Sequence, residues 1–190
     1  SQYAPELRST RFVANATGIA RQIFGDDLLE GYREQMIYKP ARRAPATPWH
    51  QDQAYHDPNL RFRSINFWMP LDEATLASGC MQFVPGSHRL DVLDHRSIGG
   101  NPAVHGLELE EPERYAPYAV ACPVPAGGCT LHSAYMLHYA GPNTSDLPRR
   151  AYTLIFGAKP VARAVPVDNY WMREKRTVRM QREKRSKRAS

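Results

Sequence analysis

The chain has 190 residues, of which 42% are hydrophobic and 23% are charged. These shares are ordinary for a globular protein, and the length is sufficient for one domain with a hydrophobic core. No apolar run approaches the roughly 20 residues of a membrane-spanning helix, so the sequence predicts no membrane span. The first residues lack the apolar segment of a secretory signal. They also lack an initiator Met, so we expect further sequence upstream.

The net charge of +6 is not spread evenly along the chain. Residues 171–190 carry nine Lys and Arg against two Glu, a net +7, whereas residues 1–170 carry 16 basic and 17 acidic residues, a net −1. We therefore divide the chain into a domain over residues 1–170 and a basic C-terminal tail over 171–190. We interpret the tail as a solvated appendage. Contact with nucleic acid or an acidic membrane surface is the alternative interpretation, which is disfavoured because the tail has no aromatic residue beyond Trp171.

The three cysteines, Cys80, Cys122 and Cys129, match no zinc-binding spacing. We expect them to be reduced side chains in a cytoplasmic protein, although Cys122 and Cys129 could pair across a turn.

The first half of the chain predicts one helix followed by strands. Apolar residues recur at three- and four-residue steps over residues 7–24, which predicts a helix that stops at Gly25. Residues 32–39 read as a strand, and three prolines then indicate a loop. Residues 50–55 are predicted to form a strand, which would place His50 and Asp52 on one face and Gln51 on the other.

The second half predicts short strands separated by turns. Residues 64–71 alternate, with Phe67 facing one side and Trp68 the other. Residues 91–117 show no clean period and read as a long loop that could cover a site. The other predicted strands are residues 80–84, 120–124, 129–133, 135–139 and 151–158. This pattern favours a mainly β protein, an antiparallel double-sheet roll behind one N-terminal helix.

Four residues from distant segments suggest a metal site. Two histidines and one carboxylate, here His50, Asp52 and His138, are the ligands of an open Fe(II) site, which leaves one face free for an organic co-substrate and O2. The planar guanidinium of Arg149 could hold a dicarboxylate. Adjacent strand residues point to opposite faces, so only one of Arg149 and Arg150 can reach the pocket, and the spacing from His138 favours Arg149. His132 is a rival ligand if the register of the last strands is shifted. His56, His95 and His105 are expected to be exposed.

Four motifs, in order, resemble the phytanoyl-CoA dioxygenase family of Fe(II)- and 2-oxoglutarate-dependent oxygenases. They are Trp49-His50-Gln51-Asp52, the segment 79–88 (GCMQFVPGSH), the segment 137–143 (LHYAGPN) and Arg149-Arg150-Ala151. The resemblance runs from about residue 7 to residue 158. It implies a double-stranded β-helix of the jelly-roll, cupin-like type.

The resemblance also implies roles for individual residues. His50, Asp52 and His138 would bind iron, and Arg149 would hold the distal carboxylate of 2-oxoglutarate. Trp68 and Gln51 match positions that contact the co-substrate in family members. One departure is Ala140, where many members carry a Ser that adds a co-substrate contact. The carboxylate of Asp52 favours hydroxylation over halogenation, because related halogenases replace it with Ala or Gly.

The sequence therefore favours an iron- and 2-oxoglutarate-dependent dioxygenase that uses O2 to hydroxylate a small organic metabolite, with release of succinate and CO2. Two alternatives stay open. One is a cupin-type metal dioxygenase that does not use 2-oxoglutarate, for which Arg149 would have no purpose. The other is a non-catalytic binding module of the same fold that uses its basic tail to bind a partner.

Overall fold

The computed structural model describes residues 4–178. Within this range lie an N-terminal helix, α1 (Arg11–Phe24), and a short C-terminal helix, α2 (Tyr170–Glu174). Between them are the strands β1 (Arg33–Lys39), β2 (Thr47–His50), β3 (Leu60–Pro70), β4 (Met81–Phe83), β5 (His95–Ser97), β6 (Leu107–Leu109), β7 (Val120–Cys122), β8 (Thr130–Ser133), β9 (His138–Ala140) and β10 (Arg149–Ala162). Neither helix has the length and apolar character needed to cross a bilayer, among the residues described. The three cysteines are free thiols.

Two four-stranded antiparallel sheets form a double-stranded β-helix. The major sheet has the strand order β1-β10-β3-β8, and the minor sheet has the order β2-β9-β4-β7. Strands distant in the sequence are therefore neighbours, as where β2 pairs with β9 near the other end of the chain. This arrangement confirms the mainly β roll that the sequence predicts.

The core has one layer on the outside of the major sheet and another between the sheets. Outside, Val13, Ala16 and Ala20 of α1 pack against apolar residues of β3 and β10, including Phe67. Between the sheets, Trp68 packs with residues of β4, β9 and β10. Phe67 and Trp68 thus lie on opposite faces of β3, as the alternation of this segment predicts.

The predicted helix is present but begins later than expected. A 3-10 turn occupies Pro5–Ser9, and the side chain of Thr10 then accepts a hydrogen bond from the backbone amide of Val13 at 3.4 Å. Such a cap satisfies one of the free amides of the first turn. The helix ends at Gly25, whose φ of 55° is in a region that favours glycine.

The strand predicted over residues 50–55 is wrong beyond His50. Strand β2 ends at His50, and Asp52–Tyr55 form a 3-10 turn. The Gln51 carbonyl accepts from the Ala54 amide at 3.1 Å, which closes the turn. Strand alternation therefore does not set the direction of the Asp52 side chain.

The predicted loop over residues 91–117 contains regular structure. Strands β5 and β6 form an antiparallel hairpin with His95 opposite Leu109. His95 is fully buried, so the expectation that it is exposed was wrong, whereas His105 is exposed. Three-residue strands are too short to show a period, which explains why the sequence reads as irregular here.

The first part of the predicted tail packs onto the domain. Trp171 is buried, and its indole nitrogen donates to the Ala54 carbonyl at 3.0 Å. The ammonium of Lys175 donates to the carbonyls of residues 104–106. The expected boundary after residue 170 thus falls within the packed part of the chain. Residues 179–190, which carry most of the basic residues of the predicted tail, lie outside the described residues.

Candidate metal and co-substrate site

Two histidines face each other across the minor sheet. His50 ends β2 and His138 begins β9, and the two residues are directly paired in the antiparallel register. Both side chains are buried, and their ring centroids lie 4.1 Å apart. Cross-strand pairing brings together two segments that are far apart in the sequence.

Backbone carbonyls fix the orientation of both rings. Nδ1 of His50 lies 2.8 Å from the Pro48 carbonyl oxygen, and Nδ1 of His138 lies 2.9 Å from that of Met136. A carbonyl only accepts, so Nδ1 of each ring carries a proton, and the tautomer that this bond favours leaves the lone pair on Nε2. Metal-binding histidines are commonly oriented by such an outer hydrogen bond.

Asp52 completes a group of three ligand atoms. It begins the 3-10 turn after β2, and its Oδ1 lies 3.6 Å from Nε2 of His50 and 3.8 Å from Nε2 of His138. One atom from each residue can be chosen so that all three lie within 4.8 Å of one another. Two imidazole nitrogens and one carboxylate oxygen at these distances fit a single divalent transition-metal ion.

The protonation of the cluster suits a metal ligand set. Burial, with the neighbouring His138, lowers the pKa of His50 to about 3. Burial raises the pKa of Asp52, but the neighbouring imidazoles of His138, His50 and His132 and a hydrogen bond with Asn66 bring it below its ordinary value. At neutral pH the His50 ring is therefore neutral and the carboxylate ionised, which are the forms that bind metal.

Arg149 presents a buried guanidinium with free donors. It begins β10 and is 1% exposed, whereas its neighbour Arg150 is exposed and pairs with Asp72. Nη2 of Arg149 donates to the Gly79 carbonyl at 3.0 Å, while Nε and Nη1 are buried without a hydrogen-bond partner among the described residues. Buried donors are rarely left unpaired, so this guanidinium is suited to an anion that accepts from it.

The surroundings keep Arg149 in place and charged. Burial lowers the pKa of Arg149 only to about 10, so it stays a cation at neutral pH. Its guanidinium carbon lies 5.0 Å from the ring centroid of Trp68, which is itself buried. This distance is within the range of a cation–π contact. Trp68 therefore lies against the predicted carboxylate-binding group.

Two residues that the sequence analysis did not select support this region. Gly79 has a φ of 79°, and a Cβ there would lie 2.4 Å from the Gly141 carbonyl oxygen, so only glycine fits. Lys39 is buried beside β10 and donates to the carbonyls of Pro45 and Gly141 at 2.6 and 2.8 Å. Its pKa falls to about 8 through burial and the charge of Arg149. Both roles depend on contacts between distant segments, which no local pattern reveals.

The side-chain amide of Gln51 is fully engaged with backbone groups. It donates to the carbonyls of Tyr135 and Asp91 at 2.9 and 3.2 Å and accepts from the Leu93 amide at 2.9 Å. Its backbone amide donates to Nε2 of His95 at 3.1 Å. These contacts support an anchoring role for Gln51, which ties the start of the 91–117 segment to the metal-binding turn. The expected co-substrate contact stays a prediction.

Tyr55 links the turn to the hairpin. Its ring lies 6.2 Å from that of His50 in an edge-to-face arrangement, and its hydroxyl accepts from the Leu107 amide at 2.7 Å. Lys175 lies 5.7 Å from the centre of the same ring. The hairpin and the C-terminal segment therefore both adjoin the candidate site.

Comparison with known proteins identifies relatives along most of the chain. The family model for Phytanoyl-CoA dioxygenase (PhyH) matches residues 4–151. A probable alpha-ketoglutarate-dependent hypophosphite dioxygenase of Stutzerimonas stutzeri is 29% identical over 154 residues, which are 80% of this chain and 53% of that protein. Phytanoyl-CoA dioxygenase domain-containing protein 1 of Bos taurus is 34% identical over 108 residues, 55% of this chain and 36% of that protein. The chain spans about half the length, or less, of these curated relatives.

Solved structures agree with the sequence comparison. EvdO2 from Micromonospora carbonacea var. aurantiaca superposes with a TM-score of 0.82 and 40% identity, covering 90% of this chain and 69% of that one. The same protein has also been solved complexed with 2-oxoglutarate, and that structure gives a TM-score of 0.81. Because the family model matches more than half of the residues of this chain, the chain belongs to the phytanoyl-CoA dioxygenase family.

Proposed function

We propose that this protein is an Fe(II)- and 2-oxoglutarate-dependent dioxygenase that hydroxylates a C–H bond of a small organic metabolite. The observation that carries the proposal is the convergence of His50, Asp52 and His138 on one point, in a domain that also buries Arg149 with unpartnered donors. A cupin-type dioxygenase without the keto acid would have no use for such a guanidinium.

The donor set favours iron in the ferrous state. Two imidazoles and one carboxylate leave coordination positions open, as non-haem Fe(II) oxygenases require. With iron bound, the site would supply O2 activation coupled to decarboxylation of 2-oxoglutarate to succinate and CO2. The three ligand residues would hold the ion, while burial keeps His50 neutral and backbone carbonyls orient both imidazole rings.

The co-substrate would be held by its distal carboxylate at Arg149. The unpartnered Nε and Nη1 can donate to the two carboxylate oxygens, while Nη2 keeps its bond to Gly79. Trp68 would limit the pocket below the guanidinium. Ala140 offers no hydroxyl, so the arginine would provide most of the polar binding energy. EvdO2, which binds 2-oxoglutarate in its solved complex, supports this assignment as a relative.

We also propose a cytoplasmic location, which is supported by three cysteines that are free thiols rather than a disulfide framework. The proposed partners are the small-molecule substrate, 2-oxoglutarate and O2.

Anaerobic titration with Fe(II) and 2-oxoglutarate tests the function. We expect a weak visible charge-transfer band when both are present, and formation of succinate once O2 is admitted. His138→Ala should abolish the band, because it removes one of three protein ligands. The matched control is His88→Ala, since His88 is exposed and distant in sequence from the ligands. Absence of the band in the unaltered protein, or its persistence in His138→Ala, would contradict the proposal.

A further inference from the structure

A fourth imidazole lies beside the cluster. His132 is on β8 of the major sheet, opposite Asn66 of β3, and is 3% exposed. Its ring centroid lies 4.5 Å from that of His138. Neither ring nitrogen has a hydrogen-bond partner among residues 4–178. A buried imidazole with two unsatisfied nitrogens is costly and calls for an explanation.

The two oxygens of Asp52 face different neighbours. Oδ1 is the atom nearest to Nε2 of His50 and of His138, as described above. Oδ2 lies 3.8 Å from Nε2 of His132. One oxygen is therefore directed to the candidate metal position, and the other to His132.

His132 differs from the ligand histidines in how its ring is held. His50, His138 and the buried His95 each place Nδ1 within 2.9 Å of the carbonyl oxygen two residues earlier. His132 makes no such bond, since its Nδ1 is unpartnered. In His50 and His138, the bond at Nδ1 leaves Nε2 free to bind a metal. The ring of His132 is not held by such a bond. It can instead carry its proton on Nε2, toward Asp52.

We propose that His132 is a positioning residue for the metal ligand Asp52, in which Nε2–H donates to Oδ2 and keeps Oδ1 directed at the ion. The inference rests on the proposed function. A closing movement of less than about 1 Å would bring the pair from 3.8 Å into hydrogen-bond range. The hydrogen bond would hold the carboxylate in one rotamer and favour one-oxygen coordination. Asn66, which also bonds to Asp52, would act on the same carboxylate.

Two substitutions separate the hydrogen bond from the packing of the ring. His132→Gln keeps an N–H donor, whereas His132→Phe keeps a ring of similar size and removes the donor. Affinity is measured anaerobically with Fe(II) alone, and with Co(II), whose absorption spectrum reports the ligand set. Thermal unfolding of the metal-free variants reports packing. His88→Phe is the control, because His88 is exposed.

We expect His132→Phe to weaken Fe(II) binding by about 10- to 100-fold, the usual effect of losing an outer-shell partner of a ligand. His132→Gln should remain within a few fold of the unaltered protein, and the Co(II) spectrum should keep its shape in both variants. If His132→Phe does not fold, His132→Leu provides the same comparison with less bulk.

Two results would overturn the inference. Equal Fe(II) affinity in His132→Phe and the unaltered protein would show that the ring only fills space. Loss of binding in His132→Gln as severe as in His138→Ala, with a changed Co(II) spectrum, would make His132 a ligand. Both leave the proposed function standing, because that function fails only if the unaltered protein gives no band with Fe(II) and 2-oxoglutarate.

Discussion

Replacing Arg149 with Met should weaken co-substrate binding strongly without markedly destabilising the folded domain. The substitution keeps an unbranched side chain, shorter than that of Arg, and removes the cation. Arg149 lies 1% exposed, with one hydrogen bond to Gly79 and a ring contact with Trp68. These features set opposing contributions to the free energy of unfolding.

The stabilising contacts of Arg149 are modest for a buried charge. A hydrogen bond from a charged donor contributes about 1.5–3 kcal/mol, and a desolvated cation–π contact contributes up to about 2 kcal/mol. Against them stand two buried donors without partners, each costing about 1–3 kcal/mol, and the desolvation of the cation itself. The costs match or exceed the stabilising contributions, so we expect Met to lower the free energy of unfolding of the metal-free protein by less than about 2 kcal/mol.

The effect on 2-oxoglutarate should be much larger. Nε and Nη1 would make two charge-assisted hydrogen bonds to the distal carboxylate, together about 3–6 kcal/mol. Their loss corresponds to a weakening of about 10²- to 10⁴-fold in the dissociation constant. Titration of 2-oxoglutarate into the anaerobic Fe(II) protein, followed by the charge-transfer band, measures this change, and urea unfolding measures the stability.

Arg150→Met is the matched control, since Arg150 is the adjacent exposed residue and pairs with Asp72 at the surface. It should leave co-substrate affinity unchanged. The reasoning is refuted if Arg149→Met binds 2-oxoglutarate normally, or if it loses several kcal/mol of stability in the metal-free state. Either result would make Arg149 a structural cation whose free donors serve no ligand.

Three other outcomes follow from the same geometry. Gly79→Ala should destabilise the domain by about 2–4 kcal/mol in urea unfolding, because its Cβ would overlap the Gly141 carbonyl at a positive φ; wild-type stability would contradict the close approach. Trp171→Ala should cost about 3–5 kcal/mol, since the indole is buried and bonded to Ala54, and a small loss would place residue 171 in a tail after all. Burial lowers the pKa of His95 to about 4, below its unfolded value of 6.5. The unfolded state therefore takes up this proton first, and His95 makes the fold less stable as pH falls from 6.5 toward 4. At pH 5.5 the loss relative to pH 7.5 is about 1 kcal/mol, and His95→Gln should show a correspondingly flatter pH dependence of urea unfolding.

The sequence predicts those parts of the fold that depend on local pattern. The spacing of apolar residues such as Phe12, Ala16 and Ala20 predicts the helix, and Gly25 ends it. Alternation in β3 places Phe67 and Trp68 on opposite faces. Alternation in β10 likewise separates Arg149, which is buried, from Arg150, which is exposed. Each of these depends on the geometry of a single element.

The features that the sequence does not predict depend on contacts between segments. The turn at Asp52–Tyr55 replaces the expected strand because β9, the partner of β2, begins at His138 and pairs only as far as His50. His95 is buried because Gln51 and Trp171, from distant segments, pack around it. Nothing in the residues next to His95 specifies these neighbours.

The turn at Asp52 has a consequence for how the site is assembled. If β2 continued past His50, Asp52 would lie on the same face of the minor sheet as His50. Both of its carboxylate oxygens would then lie near residues of the minor sheet. The turn instead lets the carboxylate lie between the sheets, with Oδ1 near the minor-sheet histidines and Oδ2 near His132 of the major sheet.

The proposed metal and co-substrate therefore bridge the two sheets. The minor sheet supplies His50 and His138, and the major sheet supplies Arg149, Trp68 and His132. A keto acid bound both to iron and to Arg149 would connect the sheets directly. Ligands that bind only the folded state stabilise it by mass action. Fe(II) and 2-oxoglutarate together should thus raise the unfolding temperature more than the sum of their separate effects, and at equal co-substrate concentration this coupling should be much smaller in Arg149→Met. Additive shifts in the unaltered protein would show that the two ligands do not share one site.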